Sequence, residues 1–316
     1  MIRFIARRMI LLVVTMLITS GIIFALTQLV PGDIAKLILG RDASEAALET
    51  LRNEFGLNDP APQQYIRWLG GFLSGDWGRS FTGGNQQVRP LVLERLGNSM
   101  RLALMTMVIS VPLSILLGVM AALFENSWLD SLISLFTLSV VGLPEFVTGL
   151  LLINGLALGM RQLGLPATSS VPANTVEDWI RQLLLPSLTA TFVLVGYVTR
   201  LTRAGVVDEL KKAYVRTAVL KGLPQHTVII KHVLRNALLP TITVIAISFG
   251  WLIGGLVVIE SVYNYPGLGA LLVDAVKQKN LFLLQAIVMV TIFFFALANL
   301  LADIFYAILN PRIRLE

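Results

Sequence analysis

The stretch Leu201–Pro240, LTRAGVVDELKKAYVRTAVLKGLPQHTVIIKHVLRNALLP, is a long basic insert between two segments apolar enough to cross a membrane. Together with Arg200 it carries eight Lys/Arg against two acids, Asp208 and Glu209. Charge of that density in a loop between apolar spans either holds the loop at one face of the bilayer or docks something onto it. Val206–Lys221 lacks Gly and Pro and predicts a helix ending at Gly222, a natural C-cap. Pro224 then suits the first turn of a second helix, which runs to about Leu239 before Pro240 opens the next span. Two helices meeting at a sharp Gly-Pro corner make a rigid knob, and a solvated loop held by anionic lipid remains open beside that reading.

The rest of the chain agrees with a membrane setting. Its 316 residues are 55% hydrophobic and 14% charged, with mean hydropathy +0.77; soluble domains average about 25% charged residues. With no Cys, disulfides, thiolate metal sites and Cys nucleophiles are excluded together. The net charge of +6 needs no nucleic acid, because the bases sit in loops beside apolar spans. A span needs about 20 apolar residues, and six stretches qualify: Met9–Val30, Met100–Phe124, Leu132–Leu158, Leu183–Thr199, Ile242–Val262 and Leu281–Leu309. Arg3, Arg7 and Arg8 before the first look like a signal peptide's basic start, but no small-x-small site closes the apolar run before Pro31. It reads as a retained anchor.

Six spans with both termini inside place thirteen Lys/Arg at the N-terminus, in the large loop and at the C-terminus. The segment 31–99, on the other side, has seven bases offset by eight acids. One inside loop dissents, since Glu125–Ser131 has two acids and no base. Residues 31–99 form a small helical extracytoplasmic subdomain. Asp42-x-x-Glu45 resembles a capping box, Leu48, Leu51 and Phe55 share a face, and Gly56 stands at a C-cap. Tyr65, Trp68, Leu69 and Phe72 line a second helix. These helices either lie on the bilayer surface or pack on the spans as a platform for an extracytoplasmic partner. Gly155/Gly159 and Gly250/Gly254 have the spacing of close helix contacts.

The loop motifs carry a resemblance. AYVRTAVLKG (Ala213–Gly222) and HVLRNALLP (His232–Pro240), with Pro240 eighteen residues after Gly222, resemble the cytoplasmic coupling loop of peptide and nickel ABC importer permeases. Matches elsewhere are Pro31-Gly32-Asp33, Phe55-Gly56-Leu57 with Pro60, Gly75-Asp76-Trp77-Gly78 with Ser80, Arg200 with Arg203, Gly254-Gly255 with Glu260, Pro266-Gly267-Leu268-Gly269, and Pro311-Arg312-Ile313-Arg314. Val219-Leu220 depart from the family's Arg-Ala, and Asn310 from its Asp.

The resemblance implies an all-α membrane protein with six transmembrane helices and the type I importer (MetI-like) transmembrane fold. Its parts are an N-terminal tip and first span (1–30), the insertion (31–99), the transmembrane domain (97–309) with coupling loop 200–240, and a tail (310–316). It implies a homologous second permease, two cytoplasmic ABC ATPases and an extracytoplasmic substrate-binding protein in a bacterial or archaeal cytoplasmic membrane. ATP and Mg would sit on the ATPases, and this chain would bind no cofactor and no metal. Tyr214, Val215, Arg216, Thr217, Ala218, Lys221 and Gly222 would seat in an ATPase groove. Peptides lead as substrates, while relatives also carry nickel chelates, oligosaccharides and opine-like solutes.

The chain itself has no G-x-x-x-x-G-K-[ST], H-E-x-x-H or G-x-S-x-G, so no catalytic residue is expected. His226 and His232, six apart, do not share a helix face. Three acids fall inside spans, where charge costs about 2.5–3.5 kcal/mol and faces a cavity or a partner. Glu145 follows Gly142-Leu143-Pro144, which predicts a bend. It either lines the pathway and attracts a cationic group or sits neutral at the interface with the second permease. Glu260, with Tyr263, Pro266 and Gly267, belongs to an external gate or is a structural cap. Asp303 pairs with a base such as Arg203 or Arg312. The rival class is a self-sufficient secondary transporter with the basic loop as a lipid anchor.

Overall fold

The computed structural model describes residues 2–29, 35–36, 43–80, 86–170 and 175–309, with only the backbone at 2–4, 54–55 and 305–309. The motifs at Pro31–Asp33 and Pro311–Arg314, and residues Asp42, Asn310 and Arg312, lie outside them. Among the described residues the named elements are all helical: α1 (Ile2–Leu29), α2 (Glu45–Phe55), α3 (Ala61–Ser74), α4 (Val88–Leu123), α5 (Trp128–Gly142) and α6 (Glu145–Leu158). Then follow α7 (Val176–Leu210), α8 (Ala213–Leu220), α9 (Gln225–Gly255), α10 (Val257–Val262), α11 (Leu268–Lys277) and α12 (Leu281–Leu309).

Five of these, α1, α4, α7, α9 and α12, are long and apolar enough to span by themselves. The predicted third span is instead two helices, α5 and α6, bent by 108° at Leu143-Pro144. Pro144 lacks the N–H that a continued helix would need, and Leu143 before it is extended. The pair nevertheless carries the chain from one end of the bundle to the other. Asp130 at the start of α5 is bound to Arg203 near the end of α7. Gly149 of α6 touches Tyr263, which also meets Thr189 in the first half of α7. The bent pair therefore counts as one crossing, and the crossings among the described residues number six.

The frame is the parallel pair α4 and α7, of 36 and 35 residues, whose contacts run from Arg101 over Trp179 to Gly118 beside Thr202. At 1.5 Å per residue each is over 50 Å long, well beyond a hydrocarbon core of about 30 Å. Their ends therefore project or tilt, and α7 continues to Leu210 rather than stopping near Thr199. Small residues let them approach: a Cβ on Gly118 would lie 2.6 Å from Thr202 Cβ, and one on Gly196 would meet Val141 of α5. Leu102, Leu185, Leu252 and Ile259 fill the centre of α4, α7, α9 and α10. Val88, Val92, Leu268 and Ile287 fill a second core between α4, α11 and α12. Of the two glycine pairs, Gly250/Gly254 meets α12 at Ala298 and Thr291, while a Cβ on Gly155 would meet nothing.

Several expectations change. The helix predicted over Val206–Lys221 breaks at Lys211-Lys212: its first part ends α7 and its second is α8. Pro240 does not open a span but lies inside α9, one helix from Gln225 to Gly255 that relaxes to π geometry at Val228–Val233. Span five ends at the break after Gly254-Gly255, so Glu260 belongs to the separate α10. The cap of α2 is Ser44, whose Oγ accepts from Ala47 N–H; Gly56 takes the αL C-cap as expected, at φ 63°. Asp303 pairs with Arg8 of α1 at 3.0 Å; Arg203, the proposed partner, is taken by Asp130. The acidic loop is thereby explained, because Asp130 and Glu125 face Arg203 and Lys211 of the basic segment. In the insertion, Tyr65 of α3 packs edge-on to Phe24 and meets Ser20 at 2.8 Å, so this helix rests on α1.

Candidate functional site

Two clusters gather the singled-out residues, at opposite ends of α7. The first is the basic corner. Val215 and Ala218 of α8 are buried against Val206, Val228, Val233 and Ala237, with Ala122 of α4 beneath. This apolar seat fixes which face of α8 points away. Arg216, Thr217, Lys221 and Gly222 are exposed, with Leu220 80% and Val219 56% exposed beside them. The two corner residues that depart from the family pattern, Val219 and Leu220, thus stand on the free face and make it more apolar.

A polar clamp holds the corner's angle. Glu209, buried at the end of α7, takes the Lys212 ammonium across the helix break. Its other oxygen accepts from the Tyr214 hydroxyl at 2.8 Å, and that hydroxyl accepts from Asn236 Nδ2 at 3.3 Å. Asn236 belongs to α9, so one tyrosine joins three helices. The Glu209 carboxylate holds the Lys212 ammonium above its ordinary pKa, and burial pushes the Tyr214 hydroxyl up, so both stay protonated near neutrality. Gly205 completes the joint, since a Cβ there would fall 2.6 Å from the Ala237 carbonyl. Gly222 closes α8 at φ +77°, with open space where a Cβ would go. Its requirement is backbone conformation, not room.

The second cluster centres on Glu260, fully buried on α10. Its Oε1 accepts from the Ser99 hydroxyl at 2.5 Å and its Oε2 from the Ala270 N–H at 3.0 Å. Ser99 Oγ also accepts from Leu268 N–H at 2.8 Å, so Glu260 and Ser99 together cap α11. Pro266 accepts from Asn98 Nδ2 at 2.9 Å, and Tyr265 donates to the Asn98 carbonyl at 2.8 Å. Tyr263, also fully buried, lies 2.8 Å from Thr189 Oγ1 and 3.2 Å from the Gly149 carbonyl. Gly267 gives room here: a Cβ on it would be 2.2 Å from Glu260 Cδ. Glu260, Tyr263, Pro266 and Gly267 thus form one knot tying α4, α6, α7, α10 and α11, with Glu260, Tyr263 and Gly267 buried and Pro266 half-buried.

Glu145 is not part of that knot. It is half-buried in the first turn of α6, with no side-chain hydrogen bond or ion pair among the described residues. Glu209, Asn236, Asn98 and Ser99 were not singled out from sequence. Asn236 lay inside a quoted motif, but Ser99 meets Glu260 across 161 residues and no local pattern marks it. Among the described residues no group of three metal-ligating side chains occurs.

The family profile of binding-protein-dependent transport system inner membrane components matches residues 114–315, and the profile of their N-terminal region matches 1–109. A probable peptide ABC transporter permease of Sinorhizobium fredii is 35% identical over 98% of this chain and 99% of its own. The glutathione transport system permeases of Pectobacterium atrosepticum and Escherichia coli K12 are 35% and 34% identical over 99% of each chain. A crystal structure of an amino acid ABC transporter with histidines aligns over 71% of this chain and 94% of its own, at TM-score 0.49 and 17% identity.

Proposed function

The chain belongs to the family of binding-protein-dependent transport system inner membrane components, and we propose that its basic corner is where ATP-driven motion enters it. It is a multi-pass membrane permease of the peptide-type ABC importers. The family match leaves the self-sufficient secondary transporter without support. A second homologous permease would complete the pathway, two cytoplasmic ATPases would carry the ATP and Mg, and an extracytoplasmic binding protein would deliver a short peptide or a glutathione-like tripeptide. The chain would bind no cofactor of its own. On the charge distribution, the corner and both termini face the cytoplasm of a bacterial or archaeal cell, and residues 31–99 face outward.

One observation carries the reading: an exposed basic and apolar face on α8 is held rigidly to α7 and α9 by the Tyr214–Glu209–Asn236 clamp. A push on α8 would move α7 and α9 as bodies, which is what a two-state transport cycle requires. Replacing Gly222 with valine would force a β-branched residue to φ +77°, while asparagine tolerates that region. Gly222→Val is expected to lower uptake per ATP hydrolysed by roughly fivefold or more, and Gly222→Asn to retain most of it. Reconstituted vesicles with all subunits measure both, and equal coupling in the two variants would sink the assignment. Co-purification of P-loop ATPases and a second six-span chain from the native host tests the assembly.

Glu145 follows the 108° bend and keeps its carboxylate free of other described side chains, which supports a place on the pathway beside a substrate ammonium. Glu145→Gln is expected to reduce uptake of peptides with a free amino terminus about fivefold, the worth of roughly 1 kcal/mol in a partly hydrated ion pair. N-acetylated peptides, if carried, should be unaffected. Equal loss for both would show a packing effect instead.

A further inference from the structure

At the end of the bundle away from the basic corner, three cavities meet at one side chain, Trp77. The first is an apolar groove of about 530 Å³ between α1, α3 and α12. It runs from Ser20 and Leu73 down past Met16 and Phe293 to Leu12, eight residues of α1 and so about 12 Å along the bundle. The second, about 550 Å³, opens on the other side of Trp77 and is polar, lined by Asp76, Arg79 and Arg89. The third, about 230 Å³, places Gln28, Gln64 and Arg67 beside the same indole.

The polar cavity is shaped for the arginines. The Arg79–Gln87 backbone bridge brings the two strands of the chain together. Gly75, at φ +91°, leaves space in which the Arg89 guanidinium lies, since a Cβ there would be 2.6 Å from Arg89 Nη1. Neither Arg79 nor Arg89 pairs with a carboxylate among the described residues. Asp76 spends one oxygen on Gly78 N–H at 3.1 Å and keeps the other. Trp77 donates to the Phe72 carbonyl at 3.0 Å and stacks on the Phe72 ring, which fixes it as the divider between the apolar and charged spaces.

We propose that this site binds one phospholipid with a phosphoethanolamine headgroup. An acyl chain occupies the groove, the phosphate lies between the Arg79 and Arg89 guanidiniums, and the primary ammonium meets Asp76. A groove opening on α1 and α12 at membrane depth is filled by hydrocarbon, and an indole at its mouth marks the level where chain gives way to headgroup. Two guanidiniums can share the oxygens of one phosphate, and one carboxylate matches one ammonium, so the site fits the headgroup in sign. The bound lipid would join the insertion to α1 and α12.

The test uses the full chain in vesicles containing a phosphoethanolamine lipid with a photoactivatable group on its acyl chain, followed by peptide mapping. Labelling is expected on residues 12–20, 69–73 and 289–294. Arg79→Gln with Arg89→Gln should lower it about tenfold, and Leu73→Trp, which fills the groove but keeps the arginines, should lower it as well. A phosphocholine analogue, whose ammonium donates no hydrogen bond, should label several-fold less. Unchanged labelling in the variants, or equal labelling by the phosphocholine analogue, overturns the proposal. So does occupation of the groove by the second permease, seen as cross-links from Phe293 to that chain in the assembled importer with no lipid adduct.

Discussion

Replacing Arg203 with leucine is expected to destabilise the chain by about 3 kcal/mol. Its guanidinium binds Asp130 through both arms, Nε to Oδ1 at 2.7 Å and Nη2 to Oδ2 at 2.6 Å. The Asp130 side chain is only 7% exposed, whereas Arg203 is 30% exposed. Removing one partner of a buried pair costs roughly 3–5 kcal/mol, because the remaining charge is left without compensation. Solvent at Arg203 puts the value at the low end. The same pair fixes the start of α5 against α7, so the loss should spread to the bent crossing that follows. Thermal unfolding in detergent measures it. Asp130→Leu combined with Arg203→Met should recover most of the stability, since apolar replacement of both partners removes the stranded charge. Lys211→Ala is the control: its pair with Glu125 is 3.6 Å long and exposed, worth at most about 1 kcal/mol. If Arg203→Leu costs no more than Lys211→Ala, the pair does not hold α5 in place.

Gly267→Ala is expected to be comparably damaging for a different reason. Gly267 has φ −98°, which any residue adopts, so its backbone would not object to a side chain. The obstacle is Glu260, whose Cδ would be 2.2 Å from the new methyl. Overpacking of this kind costs roughly 1–3 kcal/mol. Displacing the carboxylate also strands the Ser99 hydroxyl and the Ala270 N–H, at about 1–3 kcal/mol each if they stay buried. A total of about 3 kcal/mol or more should show as low yield of folded chain and loss of transport. The diagnostic variant is Gly267→Ala with Glu260→Ala, in which the carboxyl is gone and the methyl has room. It should be more stable than Gly267→Ala alone. Were the double variant worse, by the sum of the two singles, the clash would not be the cause.

Elsewhere in the chain, local pattern was enough. Apolar runs located every span, because burial in hydrocarbon acts on each segment separately. Gly222 was legible for the same reason: a helix end followed by Leu-Pro needs a left-handed residue, and that need is local. The bend at Pro144 was legible in kind, since proline removes an N–H wherever it stands. Its size, 108°, was not, for it depends on what α6 packs against. The Thr175-x-x-Asp178 capping box that starts α7 is equally local. Pro240 misled, because a proline that looks like a boundary can be absorbed by a long packed helix.

The sequence by itself determined a six-crossing helical membrane protein, its basic corner and, through ordered motifs, its family. Each of those depends on composition or on residues within a turn or two of one another. Only the tertiary structure decided the partners: Arg203 with Asp130 across 73 residues, Glu260 with Ser99 across 161, Asp303 with Arg8 rather than a nearer base. A buried charge takes whichever opposite group the packed helices bring within hydrogen-bonding reach. In a bundle that distance is set by crossing geometry, on which separation along the chain has no hold.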